Sequence, residues 1–334
     1  MADDQGVLIV AELNADGLAG VSAELAGIGR KIADELGEPL VALVIGHNVS
    51  ALASQLGELG VDRVLVADDA RLADYQPDLI RTVVVSAITG AHPSTVLLGQ
   101  TANGRDLAAR LAFRLETGLV TDCTDLRVDS ETHSLVMTKP VFGGSALAEY
   151  SVPESRPQIA TVRPRVFAPA DAQADRAAEI ETLQVDLDSV PERITLGETV
   201  QAETAEGPRL KDAKTVVSGG RGLGGAENWP KIEELAGILG AAVGASRAVT
   251  DAGWVAPSHQ VGLTGQTIAP DLYITVGVSG AVQHIAGCSG SRNIVAINKD
   301  PDANIFKVAR YGVVGDYKAV LPAFTKRVRE LMGG

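Results

Sequence analysis

A β-branched run that enters a glycine-rich turn and then a helical pattern restricts this chain more than any other feature. Thr215-Val216-Val217-Ser218 leads into Gly219-Gly220-Arg221-Gly222-Leu223-Gly224-Gly225. After the start signal Asn228-Trp229-Pro230, residues Ile232, Leu235, Ala236 and Leu239 recur at the spacing of one buried helix face. Strand, glycine turn and helix in that order is how an α/β sheet holds a phosphate. The glycines let backbone N–H groups approach the anion, and the helix N-terminus adds partial positive charge. The spacing is not the G-x-G-x-x-G fingerprint, so taken alone the turn fits an ordinary strand-to-helix connection equally well.

Four more short apolar runs follow, Ala241–Ala245, Leu272–Val276, Asn293–Ile297 and Tyr311–Val314, and with Thr215–Ser218 they predict a doubly wound sheet. In such sheets ligands sit outside the carboxyl ends of the strands. Glycine and polar residues collect at all five ends: Gly219–Arg221, Ser246-Arg247, Gly277–His284, Asn298–Asp300 and Gly315-Asp316. Five coincident ends describe the rim of a cleft. Val278-Ser279-Gly280-Ala281-Val282-Gln283-His284 reads as a second Gly/Ser turn opening a second helix, with His284 in its first turn. Two helix N-termini facing one crevice suit a pyrophosphate-bridged dinucleotide. The long connection Thr250–Asp271 contains Trp254, His259, Gln260-Val261-Gly262-Leu263-Thr264-Gly265-Gln266 and Pro270. Its Gly/Thr/Val content predicts an ordered loop over a ligand.

Composition enters through what it excludes. The 334 residues suffice for two cores, and the Ala/Val/Leu/Gly-rich, aromatic-poor usage suits parallel sheets covered by helices on both faces. No apolar run reaches the ~18 residues of a membrane helix. The start, Met1-Ala2-Asp3-Asp4, is acidic and unlike a signal or transit peptide. Cys123 and Cys288 have no metal-ligand spacing and are expected to be free thiols in a reducing cytoplasm. From Glu206 onward there are 14 basic and 11 acidic residues, which leaves −16 of the net −13 on the first 205. An acidic first half disfavours nucleic acid as a partner, and a mildly basic second half suits a bound pyrophosphate.

In the first half, Gly6–Ala11, Leu40–Ile45, Arg63–Val66 and Thr95–Leu98 read as buried strands alternating with helices near 20–36, 49–58, 76–89 and 104–116. From about Leu119 the rhythm changes. Leu126–Val128, Leu135–Thr138, Ala146–Tyr150 and Gln158–Val162 look like antiparallel strands. The segment Gly99–Asp106, which follows a strand and opens a helix, suits either an anion site or, the favoured reading, helix capping by Asn103 or Asp106. His47, His92 and His133 read as loop residues, and Ser86 has no triad partners. Residues 163–182 have the composition of an exposed excursion, and Leu183–Leu187 is strand-like. The expected division is therefore an N-terminal α/β domain over 1–197 with an antiparallel extension, a linker over 198–213, and a C-terminal doubly wound domain over 214–334.

At this point the chain resembles the electron transfer flavoprotein alpha subunit. The resemblance rests on Ser218-Gly219-Gly220-Arg221-Gly222, Gly244-Ala245-Ser246-Arg247, Gln260-Val261-Gly262-x-Thr264-Gly265, Ser279-Gly280-Ala281-x-Gln283-His284 and Asn298-Lys299-Asp300-Pro301. It is dense from about 213 to 321 and looser before, where Gly104-Arg105-Asp106-Leu107 and the layout carry it. It implies a heterodimer with a beta subunit that commonly holds an AMP, and an FAD held mainly by the C-terminal domain. Electrons would pass from dehydrogenases, such as acyl-CoA dehydrogenases, to a membrane-bound quinone reductase or another acceptor through an anionic flavin semiquinone, with the chain itself outside the membrane. Position by position, the resemblance assigns Thr264 to flavin N5, His284 to the C2 carbonyl and Arg247 to the ring face. Arg221, Ser246, Ser279 and Gly280 fall to the ADP and pyrophosphate, and Asn298 and Asp316 to the adenosine end. The neighbours Gln260, Val261, Gly262, Leu263, Gly265, Ala281 and Gln283 complete the implied FAD site. Departures from the family pattern are Leu263 for Gln, Gln266 for Lys, Arg310 for an acidic residue and Cys288 for Met.

Two other functions fit the same residues: a flavin- or nicotinamide-dependent oxidoreductase acting directly on a small substrate, and a non-redox nucleotide-binding regulator. The cleft offers a cation, a hydroxyl and a histidine but no second general acid/base pair, which favours an electron carrier over a substrate-transforming enzyme.

Overall fold

The computed structural model describes residues 4–144, 146–191, 193–197, 208–211 and 213–333. Two compact units divide the chain at about residue 198. Of the expected linker, 198–207 and 212 lie outside the described residues. At its far end Leu210 and Ala213 are buried in one core cluster with Val216, Ala242 and Tyr273 of the second unit.

The first unit is built on β1 (Val7–Val10), β2 (Leu40–Gly46), β3 (Arg63–Asp68), β4 (Thr95–Gly99), β5 (Leu119–Cys123), β6 (Asp125–Val128), β7 (Leu135–Val141), β8 (Ala146–Ser151), β9 (Gln158–Val162) and β10 (Glu179–Thr182). Seven strands form one parallel sheet in the order β10-β3-β2-β1-β4-β9-β5. The antiparallel extension is the separate sheet β8-β7-β6. Helices α1 (Gly20–Leu36), α2 (Leu52–Glu58), α3 (Pro77–Ala91) and α4 (Ala102–Leu115) connect the parallel strands. Alternation along β1 sends Val7 and Ile9 into one core and Leu8 and Val10 into the other, as a sheet covered on both faces requires.

Three expectations are corrected here. Gln158–Val162 is not antiparallel; it lies parallel between β4 and β5. All five of its residues are buried, and a strand covered on both faces suits the interior of a parallel sheet, not a hairpin. Helix α4 is capped by Thr101, not by Asn103 or Asp106, because it begins at Ala102. Thr101 stays extended, and its hydroxyl accepts the Gly104 N–H at 3.0 Å. Within the expected excursion, Glu179–Thr182 forms the exposed edge strand β10. Leu183–Leu187 is irregular: the ladder closes where Leu183 N donates to Val66 O, and Leu187 turns into the core.

The second unit has β11 (Thr215–Gly219), β12 (Ala242–Ala245), β13 (Leu272–Val276), β14 (Ile294–Asn298) and β15 (Tyr311–Val314), with α5 (Pro230–Leu239), α6 (Arg247–Thr250), α7 (Val282–Cys288) and α8 (Tyr317–Leu331). All pairings are parallel and the order is β12-β11-β13-β14-β15. The chain adds β12 on one side of β11 and β13 on the other, which makes the carboxyl ends of β11 and β13 the switch point. Val216 enters the cluster on one face and Val217 the cluster on the other, so the sheet is doubly wound. Pro230 opens α5 without loss, since its N–H would be unpaired there anyway, and Gly240 closes it at φ 57°.

Candidate functional site

The two turns at the switch point are fitted to each other by glycine. Gly220 N donates to Val276 O at 2.8 Å and Gly222 N to Gly277 O at 3.0 Å. A Cβ on Gly220 would stand 2.2 Å from Gly277 O, which backbone cannot vacate. Tyr317, buried at the start of α8, donates its hydroxyl to Leu223 O at 2.7 Å and pins the first turn from behind. Arg221 is left exposed at the rim. At the end of the neighbouring strand β13, the N–H groups of exposed Ser279 and buried Gly280 have no intrachain acceptor among the described residues. Unpaired donors and a permanent cation at the carboxyl ends of adjacent strands are what a pyrophosphate requires. Helix α7 is only seven residues long, so its dipole contributes less than the sequence pattern implied.

At the next strand ends, Asn298 and Asp316 line one small depression with Gly222 and Gly277. Both side chains also hold local structure. Asn298 Nδ2 donates to Val278 O at 2.8 Å and its Oδ1 accepts from Asp300 N at 3.0 Å, while Asp316 caps α8 through Lys318 N. On the other side of β11, Ser246 N donates to Gly219 O, half-buried Ser246 precedes α6, and Arg247 is exposed. Arg247 Nε contacts Asp251 Oδ2 at 3.2 Å, a pair of two exposed side chains. The structure does not bring Arg247 and His284 into contact.

The connection after α6 is ordered, as its composition predicted. Gln266 N donates to Gln260 O at 2.7 Å and Gly262 N to Gln266 O at 3.1 Å, closing the loop 260–266. A Cβ on Gly265 would lie 2.3 Å from Gln260 O, so the loop tightens only with glycine there. Val261 and Gln260 are buried under it, and Leu263 and Thr264 stand exposed at its tip. The loop rests on α7: Leu263 N donates to Gln283 O at 2.9 Å, and Gly287 passes against Gly262. Ala281 and Gln283 are exposed beside it. Gln266, where a lysine was the expected family residue, folds its amide back onto Ser258 O. Arg310 donates to Asn293 Oδ1 and lies over the Tyr311 ring.

His284 sits differently from an exposed site histidine. It is 6% exposed, its Nε2 is 2.8 Å from the Tyr273 hydroxyl, and its Nδ1 is buried without a well-formed hydrogen bond. Burial pushes its pKa down to about 4, with the Val261 backbone a weaker opposing influence. The imidazole is therefore neutral at pH 7, and any help it gives an anion is hydrogen bonding, not charge. Tyr273 and Thr250, the partners of His284 and Gln260, were not legible as site residues; each is one apolar-pattern or helix-end residue until the strands assemble.

A doubly wound sheet with a glycine-fitted switch point and free N–H donors defines a nucleotide-binding α/β protein. Comparison with known proteins sharpens this. The family described as "Electron transfer flavoprotein domain" matches residues 7–188, and "Electron transfer flavoprotein FAD-binding domain" matches 209–289. Protein FixB of Clostridium saccharobutylicum is 42% identical, covering 99% of this chain and 98% of that one. The electron transfer flavoprotein subunit alpha of Thermoanaerobacterium thermosaccharolyticum is also 42% identical, over 99% and 100%. The acryloyl-CoA reductase electron transfer subunit beta of Anaerotignum propionicum is 37% identical, over 92% and 91%. The chain belongs to the electron transfer flavoprotein alpha-subunit family, with an FAD-binding domain in its second unit.

Proposed function

We propose that this chain holds one FAD in its C-terminal unit and pairs with a beta subunit, which is expected to carry an AMP. As a heterodimer it relays electrons from primary dehydrogenases, such as acyl-CoA dehydrogenases, to a membrane quinone reductase or another acceptor. It performs no substrate chemistry of its own. The observation that carries this reading is the switch point, where Gly220 and Gly277 close backbone to backbone, Arg221 is exposed, and the N–H groups of Ser279 and Gly280 have no acceptor among the described residues. No described helix is long and apolar enough to cross a membrane, and both cysteines are free and buried, which supports a carrier working in a reducing cytoplasm.

The flavin, when bound, supplies the redox chemistry by accepting and releasing electrons. The chain's part is binding and polarisation. Arg221, Ser246, Ser279 and Gly280 would hold the diphosphate, with Asn298 and Asp316 at the adenosine end. Arg247 provides a planar cation for negative charge, and its exposed contact with Asp251 is worth at most ~1 kcal/mol, so exchanging that partner costs little. Thr264 offers a hydroxyl at the loop tip. Buried His284, held by the Tyr273 hydroxyl, adds a neutral imidazole. Such a set binds and polarises a ring; it does not shuttle protons to a substrate.

Co-expression with the beta chain tests the proposal. A flavin band between 350 and 500 nm and one FAD per heterodimer are expected. A colourless heterodimer that binds only AMP or ATP would overturn it, as would turnover of a small substrate without any partner protein.

A further inference from the structure

The turn that carries Arg221 is held from behind by a ring of contacts between two helix starts. Leu223 is buried with Trp229 and Tyr317 in one core cluster, and its carbonyl oxygen accepts two hydrogen bonds. The Tyr317 hydroxyl donates to it at 2.7 Å from the first turn of α8, and Asn228 Nδ2 donates at 3.1 Å from just before α5. Both lone pairs of that oxygen are therefore used. Lys231, in the first turn of α5, closes the ring. Its Nζ donates to Asn228 Oδ1 at 2.9 Å and lies 5.6 Å from the centre of the Tyr317 ring. The Asn228 amide has one workable orientation. Reversed, its oxygen would meet the Leu223 carbonyl and Glu227 Oε1, and its NH₂ would meet the Lys231 ammonium.

The turn is also fixed along its own length. Leu223 N donates to Gly220 O at 3.0 Å and Gly224 N to Arg221 O at 3.1 Å, so the backbone of exposed Arg221 belongs to the loop that the Leu223 carbonyl anchors. Gly222 and Tyr317 line one depression with Gly277, Asn298 and Asp316. Asp316, the residue before Tyr317, caps α8 through Lys318 N at 2.9 Å. One helix start thus supplies both the side chain assigned to the adenosine end and the hydroxyl behind the diphosphate turn. We propose that Tyr317 is a positioning residue: it ties the Arg221 turn to the start of α8, so that the diphosphate and adenosine ends of the FAD site keep one spacing. This rests on the reading above that Arg221 holds the diphosphate. Without the hydroxyl, Asn228 alone holds the Leu223 carbonyl, and the remaining tie runs to α5, which carries no residue assigned to the site.

Tyr317→Phe removes only the hydroxyl; the ring keeps its core packing and its place beside Lys231. The test compares the FAD-loaded heterodimers of the native protein, Tyr317→Phe, Arg221→Ala and the double variant. FAD release after dilution is followed by the rise in flavin fluorescence, and backbone amide exchange is read in the same loaded complexes. Y317F is expected to release FAD about three- to tenfold faster, the range set by one net hydrogen bond, with quicker exchange at Leu223 and Gly224. R221A is expected to release FAD faster than the native complex. Adding Y317F to it should change the rate by less than about twofold, because positioning a side chain that is gone has no effect. A tyrosine that only stabilises the unit would speed release by the same factor in both backgrounds. Native release in Y317F, an equal factor with and without Arg221, or unchanged exchange at Leu223 and Gly224 would overturn the tie while leaving the Arg221 contact standing. Native release in R221A would instead overturn that contact, and the tie with it.

Discussion

The neutral, buried histidine in the second unit makes a prediction whose size follows from its surroundings. His284 titrates near 6.5 when exposed and is pushed down to about 4 in the fold by burial. The unfolded chain therefore takes up a proton at pH values where the folded chain does not. Stability supplied by the neutral imidazole is complete above pH 6.5, falls as pH drops through the window between 6.5 and 4, and levels off below the folded value. The difference amounts to about 3 kcal/mol across that window, since each unit of pKa corresponds to ~1.4 kcal/mol. Its polar neighbours do not titrate there: burial raises the Tyr273 phenol well above its ordinary value and holds the Cys288 thiol up at about 12. Urea unfolding of the flavin-free protein, followed by tryptophan fluorescence, reads this unit alone, because both tryptophans, Trp229 and Trp254, pack in its core. His284→Gln removes the titration, so its stability loss from pH 7 to pH 4 should be smaller than the native protein's by about 3 kcal/mol. Carboxylate titrations are common to both proteins and cancel in the comparison. Parallel pH profiles would refute the claim that His284 is buried and neutral.

Arg247→Ala should leave the unfolding free energy from urea titration within about 0.5 kcal/mol, since only an exposed pair is lost, yet weaken FAD retention and lower the flavin potential; equilibrium dialysis and potentiometry check both. Gly220→Ala should cost at least ~2 kcal/mol and abolish FAD binding, because its Cβ would overlap the Gly277 carbonyl; a native midpoint by urea titration would contradict this. Cys123 and Cys288, both buried and with thiols raised to about 12, should resist a thiol reagent in the folded protein and react after unfolding.

Much of this architecture is legible in the amino-acid order, for reasons that are local. The five runs of the second unit are apolar enough to be strands wherever they lie, and the glycines at Gly219–Gly222 and Gly277–Gly280 mark the turns between them. Pro230 and Gly240 announce the ends of one helix. What escaped was set by distant neighbours. Gln158–Val162 has the length and composition of a hairpin strand; only the gap between β4 and β5, with cover on both faces, makes it parallel. Thr101 became the cap because α4 begins where Glu12, from β1's end, accepts its hydroxyl at 2.9 Å.

For the site the division is similar. Residue types and their order determined which groups stand at strand ends: two arginines, a threonine, a histidine and paired glycine turns. They also carried the family resemblance. Tertiary structure decided the condition of those groups. His284 is neutral because a sheet residue, Tyr273, and the loop around Val261 take it out of water, and Thr264 is held by an amide anchored to Thr250. Charge state and hydrogen-bond direction depend on what surrounds a side chain in space, and that surrounding is assembled from segments the chain order keeps apart.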